Sequence, residues 1–155
     1  MSGPILLYDG VCGLCNRLVQ FILRHDAQAS FRFASLQSGL AARILERHGY
    51  SRPSKAAHGG VPYNSAGLDT VYVVLHLASH DGNSEAVLSR SEAVAFVLKE
   101  LGGVWRIVGA GIQLLPRPIR NWGYGAVARN RYRIFGRYET CPIPSEATRA
   151  RFLDL

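Results

Sequence analysis

The sequence predicts an α/β protein whose elements run β-α-β-α-β-β-α, followed by a C-terminal helical extension. Three observations carry this. Ile5 to Tyr8 and Val71 to Leu77 are short, continuously apolar runs of strand length. Between and after them, apolar residues recur three and four apart, the helical period. At 155 residues with 48% apolar content, the chain has enough material for one core and is not a disordered sequence. One domain over 1–155 is expected, with its core in about 3–102.

Each element has its own warrant. Ile5-Leu6-Leu7-Tyr8 reads as a buried strand, and Gly10 permits a tight turn after it. A helix is expected from about Cys12 to His25, with Leu14, Leu18, Phe21 and Ile22 on one face. Arg24 and His25 suit its C-terminal end. Phe31-Arg32-Phe33 is a second short strand. A helix from about Ser38 to His48 follows, with Leu40, Ile44 and Leu45 as its stripe and Gly49 as its stop. Tyr50 to Asp69 lacks periodicity and reads as one long loop.

Val71 to Leu77 is the most strand-like run. His80-Asp81-Gly82-Asn83 has hairpin turn chemistry, and Glu85 to Leu88 is the returning strand. Ser89 or Ser91 is placed to cap the next helix, with Ser89 and Glu92 as a capping box. Val94, Val97, Leu98 and Leu101 form its stripe, and Gly102-Gly103 end it. In the extension, about 104–155, Trp105, Val108, Ile112 and Leu115 suggest one helix. Ile119, Trp122 and Ala126 suggest another, leading into Arg129-Asn130-Arg131-Tyr132.

The chain is organised around Tyr8-Asp9-Gly10-Val11-Cys12-Gly13-Leu14-Cys15-Asn16, where the first strand turns into the first helix. Two cysteines three positions apart then fall on the first helical turn. Unpaired N–H groups and the positive end of the helix dipole stabilise a thiolate there. The second thiol is close enough to close a disulfide with the first. C-x-x-C after a strand in a small α/β chain reads as a dithiol redox motif. The plainer alternative is two buried structural cysteines. Tyr8 and Asn16 are assigned to packing or capping. Asp9 leaves two roles open: it either shuttles a proton to or from Cys15 or caps the helix. In either role its charge raises a neighbouring thiol's pKa.

The element order with C-x-x-C after the first strand resembles the thioredoxin fold, which implies a mixed four-stranded sheet. This likeness covers about the first two-thirds of the chain. Thioredoxin-like proteins usually carry a cis-proline before the third strand. Here Asp69-Thr70 stand there, and Pro62 is too far upstream to match. Asp9-x-x-Cys12-x-x-Cys15, after a strand ending in Tyr8, resembles the signature of the DCC family of thiol-disulfide oxidoreductases. Pro116-Arg117-Pro118, Ala128 to Tyr132 and Cys141 look like that family's C-terminal half.

That resemblance implies an oxidoreductase in which Cys12 attacks a disulfide, Cys15 resolves the mixed disulfide, and Asp9 assists. The substrate would be a protein or low-molecular-weight disulfide. No bound cofactor is required, because the electrons ride on the two sulfurs. A separate reductant, which the sequence does not name, must recycle the pair. The reading requires Cys12 to be accessible; sealing both sulfurs inside the protein, or binding them to a metal, would overturn the oxidoreductase assignment and leave only the scaffold.

Charge and cysteine usage narrow the remaining classes. Three cysteines are too few and too uneven for a disulfide-stapled scaffold. The N-terminus lacks a basic segment followed by a long apolar run, and Ile107 to Leu115 is too short to span a bilayer, so a cytoplasmic protein is expected. The net charge of +7 belongs to one block: Leu101 to Tyr138 holds seven arginines and no acidic residue. Nucleic-acid binding is disfavoured, because the apolar residues there have the spacing of a solvated helix. Those arginines could instead border the redox site and attract an anionic thiol such as glutathione or an acidic protein. A non-catalytic binding module that docks an anionic partner through this block is the competing class. Cys141 is open between a third redox thiol, a ligand and a packing residue. None of His25, His48, His58, His76 and His80 stands at zinc-ligand spacing from a cysteine.

Overall fold

The computed structural model describes residues 3–50, 71–77, 84–138 and 145–153. The elements are β1 (Ile5–Tyr8), α1 (Gly13–His25), β2 (Arg32–Ser35), α2 (Gly39–Arg47), β3 (Tyr72–Leu77) and β4 (Ser84–Ser89), then α3 (Arg90–Leu101), α4 (Gly103–Leu114), α5 (Arg117–Phe135) and α6 (Glu146–Arg149). The sheet order is β2-β1-β3-β4. β1 and β2 are parallel, whereas β3 runs antiparallel to both β1 and β4. This is the expected thioredoxin-like α/β arrangement. The Tyr50–Asp69 loop (apart from Tyr50 itself), the His80–Asn83 turn and Cys141 lie outside the described residues.

The apolar strand runs have a simple cause: β1 and β3 are buried on both faces. Leu6, Tyr8, Val71 and Val73 face one side with Val19, Ile22, Ala93 and Val97. Ile5, Leu7, Tyr72 and Val74 face the other, with Ile44 and Leu45 of α2. Each fully buried Leu or Val contributes roughly 1.5–3 kcal/mol relative to exposure. In α2, Ser38 Oγ accepts the Ala41 N–H at 3.1 Å, and Gly49 takes φ +76° to end the helix. Near the C-terminus, Arg151 to Leu153 pair with Phe33 and cover the outer edge of β2.

Several helix faces differ from the sequence expectation. In α1 the fully buried ridge is Cys15, Val19 and Ile22, with Leu14, Leu18 and Phe21 packed alongside. The helix is covered by the sheet, α3 and α5, so its apolar arc is wide. In α3 the buried residues are Ser91, Ala93, Ala95 and Val97, whereas Val94, Leu98 and Leu101 are half-buried. Small residues let α4 approach α3 closely: a Cβ on Gly109 would lie 2.8 Å from the Ala95 carbonyl oxygen. Gly102 and Gly103, both at positive φ, make the tight turn between them.

The Ser89–Glu92 capping box does not form. Ser89 makes no side-chain cap bond. Ser91 Oγ donates to Asn121 Oδ1 and accepts from Arg120 Nε, while Glu92 pairs with Arg117 and Arg120 at 3.5 and 3.6 Å. These polar groups dock α5 instead of starting α3. Val108, Leu115, Ile119 and Trp122, whose spacing suggests the two helices of the extension, are exposed.

Candidate active site

Central strand β1 ends at Tyr8, which delivers Asp9 and the Gly10-Val11 turn to the N-terminal end of α1. The turn is fixed by Asn16, whose Nδ2 donates to the Gly10 and Cys12 carbonyls at 2.8 and 3.0 Å. Cys12 is itself the helix N-cap, and its Sγ accepts the Cys15 N–H at 3.4 Å. The sulfur thus holds the position where a capping oxygen usually sits.

The two thiols are driven apart in acidity. Cys12 is lowered to about 6. The hydrogen bond from the Cys15 thiol is the main cause; the Cys15 backbone N–H and the Arg131 charge add to it, against burial and Asp9. Cys15 is raised far above the ordinary thiol value, first because it donates that bond, then by burial and the charge on Cys12. Both directions favour the negative charge on Cys12 and the proton on Cys15.

Asp9 is almost fully buried. Its Oδ1 accepts from Val11 N at 3.2 Å and Gln37 Nε2 at 2.9 Å. Its Oδ2 accepts from Tyr132 Oη and lies 3.5 Å from the Arg131 guanidinium, which also donates to Tyr132 Oη at 3.0 Å. Asp9 therefore caps the turn before α1, not the helix. Burial and the bond to Asp9 raise the Tyr132 pKa. Burial opposes the Arg131 charge, but the Tyr132 hydroxyl and the two sulfurs outweigh it and raise its pKa. Arg131 and Tyr132 reach the site from α5, more than a hundred positions along the chain.

The expectation that Cys12 is accessible is corrected here. Its exposure is 0%, and Cys15 is also buried. The cover is the chain just after α5. Gly13 N donates to Gly136 O at 3.1 Å, Tyr138 N donates to Val11 O at 2.8 Å, and Arg137 bridges Cys12 in antiparallel register. Gly13 has no room for a side chain: a Cβ would stand 2.1 Å from the Phe135 carbonyl oxygen. In this chain the strap leaves room only for glycine at position 13, and that glycine between the cysteines is the one local trace of the cover in the sequence.

A cleft of about 380 Å³ runs along α1 beside the dithiol, lined by Tyr8, Asn16, Arg17, Gln20, Arg24 and Tyr138 among others. Neither sulfur lines it. Of the seven arginines in the basic block, the Arg131 charge acts on both sulfurs, while Arg137 meets Cys12 through its backbone and lays its guanidinium over the Tyr132 ring. Among the described residues, no group of three or more His, Cys, Asp or Glu is placed to hold a metal ion, and no helix is long and apolar enough to cross a membrane.

Comparison with known proteins identifies a family and relatives of the chain. The family model for DCC1-like thiol-disulfide oxidoreductases matches residues 6–137. The chain is 33% identical to the uncharacterized protein YuxK of Bacillus subtilis (strain 168) over 149 residues, covering 96% of this chain and 93% of that protein. It is 31% identical to a chloroplastic DCC family protein of Arabidopsis thaliana over 140 residues, covering 90% of this chain and 69% of that one. No solved structure matches it. The matched span contains both cysteines, Asp9, Arg131 and Tyr132, and with it the chain belongs to the DCC1-like thiol-disulfide oxidoreductase family.

Proposed function

We propose that the chain reduces or exchanges disulfides through Cys12 and Cys15. The observation that carries this is the position of Cys12 as the N-cap of α1, where its Sγ accepts the Cys15 N–H at 3.4 Å and its acidity is raised, with the Cys15 thiol three positions on. The Cys12 thiolate attacks one sulfur of a substrate disulfide, forming a Cys12–S bond while the other substrate sulfur leaves as a thiolate and takes a proton. Cys15 then gives up its proton and attacks the Cys12 sulfur. The second substrate sulfur departs, and a Cys12–Cys15 disulfide remains. Two electrons have passed to the substrate, and an external dithiol reductant restores the pair, as expected in a reducing compartment such as the cytoplasm. Asp9 acts by positioning, since its bonds go to Arg131, Tyr132, Gln37 and Val11 and hold Arg131 against the sulfurs. Residues 1–155 work as one unit, because the extension supplies Arg131 and Tyr132.

Reaction requires the strap at 136–138 to lift. Two backbone hydrogen bonds hold it to Val11 and Gly13, each worth roughly 0.5–1.5 kcal/mol net. That is small beside a typical domain stability of about 5–15 kcal/mol, so local opening does not require unfolding. The sealed sulfurs favour a second reading: a non-catalytic binding module with structural cysteines. One experiment separates the two. Cys15→Ser protein incubated with glutathione disulfide accumulates a mixed disulfide on Cys12, at least about tenfold more than Cys12→Ser does on Cys15. Equal trapping reverses or voids the roles, and no trapping in either supports the binding module.

A further inference from the structure

Helix α4 is apolar on the side where a surface helix is normally polar. Its inward side places Trp105, Gly109 and Ile112 against the body of the protein, with Trp105 packed on Phe21. Its outward side carries Val104, Ile107 and Leu114, spaced for one helical face. Ile107 is 72% and Leu114 87% exposed. Beyond the Leu115-Pro116 corner, Ile119 and Trp122 near the start of α5 are also exposed, Trp122 at 73%. The same two helices carry exposed arginines: Arg106 on α4, and Arg117, Arg129 and Arg133 on α5. Between residues 101 and 138 there is no acidic side chain; Glu92 of α3 comes near, pairing with Arg117 and Arg120.

We propose that this face docks the protein on an anionic lipid surface, with α4 and the start of α5 lying in the plane of the headgroups. Apolar side chains and a tryptophan enter the interface while arginines meet lipid phosphates. The charge selects this occupant. A second copy would bring one arginine-rich face against another, in a chain already at +7. The face is the convex side of a helix, which a bilayer can accept without a complementary groove. No helix spans a membrane among the described residues, so the association is peripheral. This proposal is independent of the thiol chemistry.

The test is co-sedimentation of the full reduced chain with vesicles of phosphatidylcholine, alone or mixed with phosphatidylglycerol. The protein should pellet with the mixed vesicles and remain in solution with the neutral ones. Raising salt to about 0.5 M, where screening acts within roughly 4 Å, should release it. Ile107→Asp and Leu114→Asp, both at exposed positions, should each weaken binding about tenfold or more without changing the circular dichroism spectrum. Arg129→Gln/Arg133→Gln should weaken it by roughly fivefold per charge. Wild-type protein that ignores anionic vesicles overturns the proposal, as does equal binding by the aspartate variants. A wild-type dimer that Leu114→Asp converts to monomer assigns the face to a second copy and overturns it as well.

Discussion

At Cys12 the capping atom and the acidic thiol are one sulfur. A cap must accept an N–H, and a thiolate accepts better than a thiol, so the start of α1 and the charge on Cys12 stabilise each other. The positive charge that acts on Cys12 is Arg131, a buried group held by Asp9 and Tyr132. Removing it acts on both the sulfur and the fold. Arg131→Gln should raise the Cys12 pKa and cost about 3 kcal/mol, since the buried Asp9 loses its ionic partner. Urea unfolding and thiol titration of the variant check the two effects. A variant with lowered stability but unchanged Cys12 acidity would make Arg131 structural only.

At the scale of elements, the strap and α1 are fitted to each other through a missing side chain. Gly13→Ala adds a helix-favouring residue, worth up to about 1 kcal/mol on an exposed helix. Here its Cβ meets the Phe135 carbonyl at 2.1 Å, and backbone cannot swing aside as a side chain can. The variant should be destabilised by about 2 kcal/mol, and its Cys12 should be alkylated faster because the strap is displaced. Equal alkylation rates in variant and wild type would mean that the strap does not control access. The strap also marks what the sequence left hidden. The strands and the dithiol's position were legible because a run buried on both faces and a strand-to-helix C-x-x-C are local patterns. Cover of the site by residues 136–138, and the ties of Arg131 and Tyr132 to Asp9, depend on contacts across more than a hundred residues. The same long-range competition took Ser91 and Glu92 from the expected cap to α5. It also left Ile119 and Trp122 outward on α5, whose inner side carries Arg131 and Tyr132.

At the scale of the whole molecule, the split between the thiols makes folding stability depend on pH in two directions. Between about pH 6 and the ordinary thiol value of about 8.5, the unfolded chain holds a proton on Cys12 that the native state has released, so stability rises with pH. Above about 8.5 the unfolded chain also ionises Cys15 while the native state keeps that proton, so stability falls. Relative to Cys12→Ser, the reduced wild type should therefore gain on the order of 3 kcal/mol between pH 6 and 8.5, the gain disappearing as pH drops through 6. Denaturant midpoints across that range, with the pair kept reduced, show whether the slope has this sign.

The most direct measurement is native-state alkylation, with the modified cysteine identified by mass spectrometry from pH 4 to 10. Within the pair, the expected result is modification of Cys12 and not Cys15, with a midpoint near pH 6 and a rate that the strap limits. An ordinary midpoint near 8.5 for Cys12, or protection of both thiols until the protein unfolds, would contradict it.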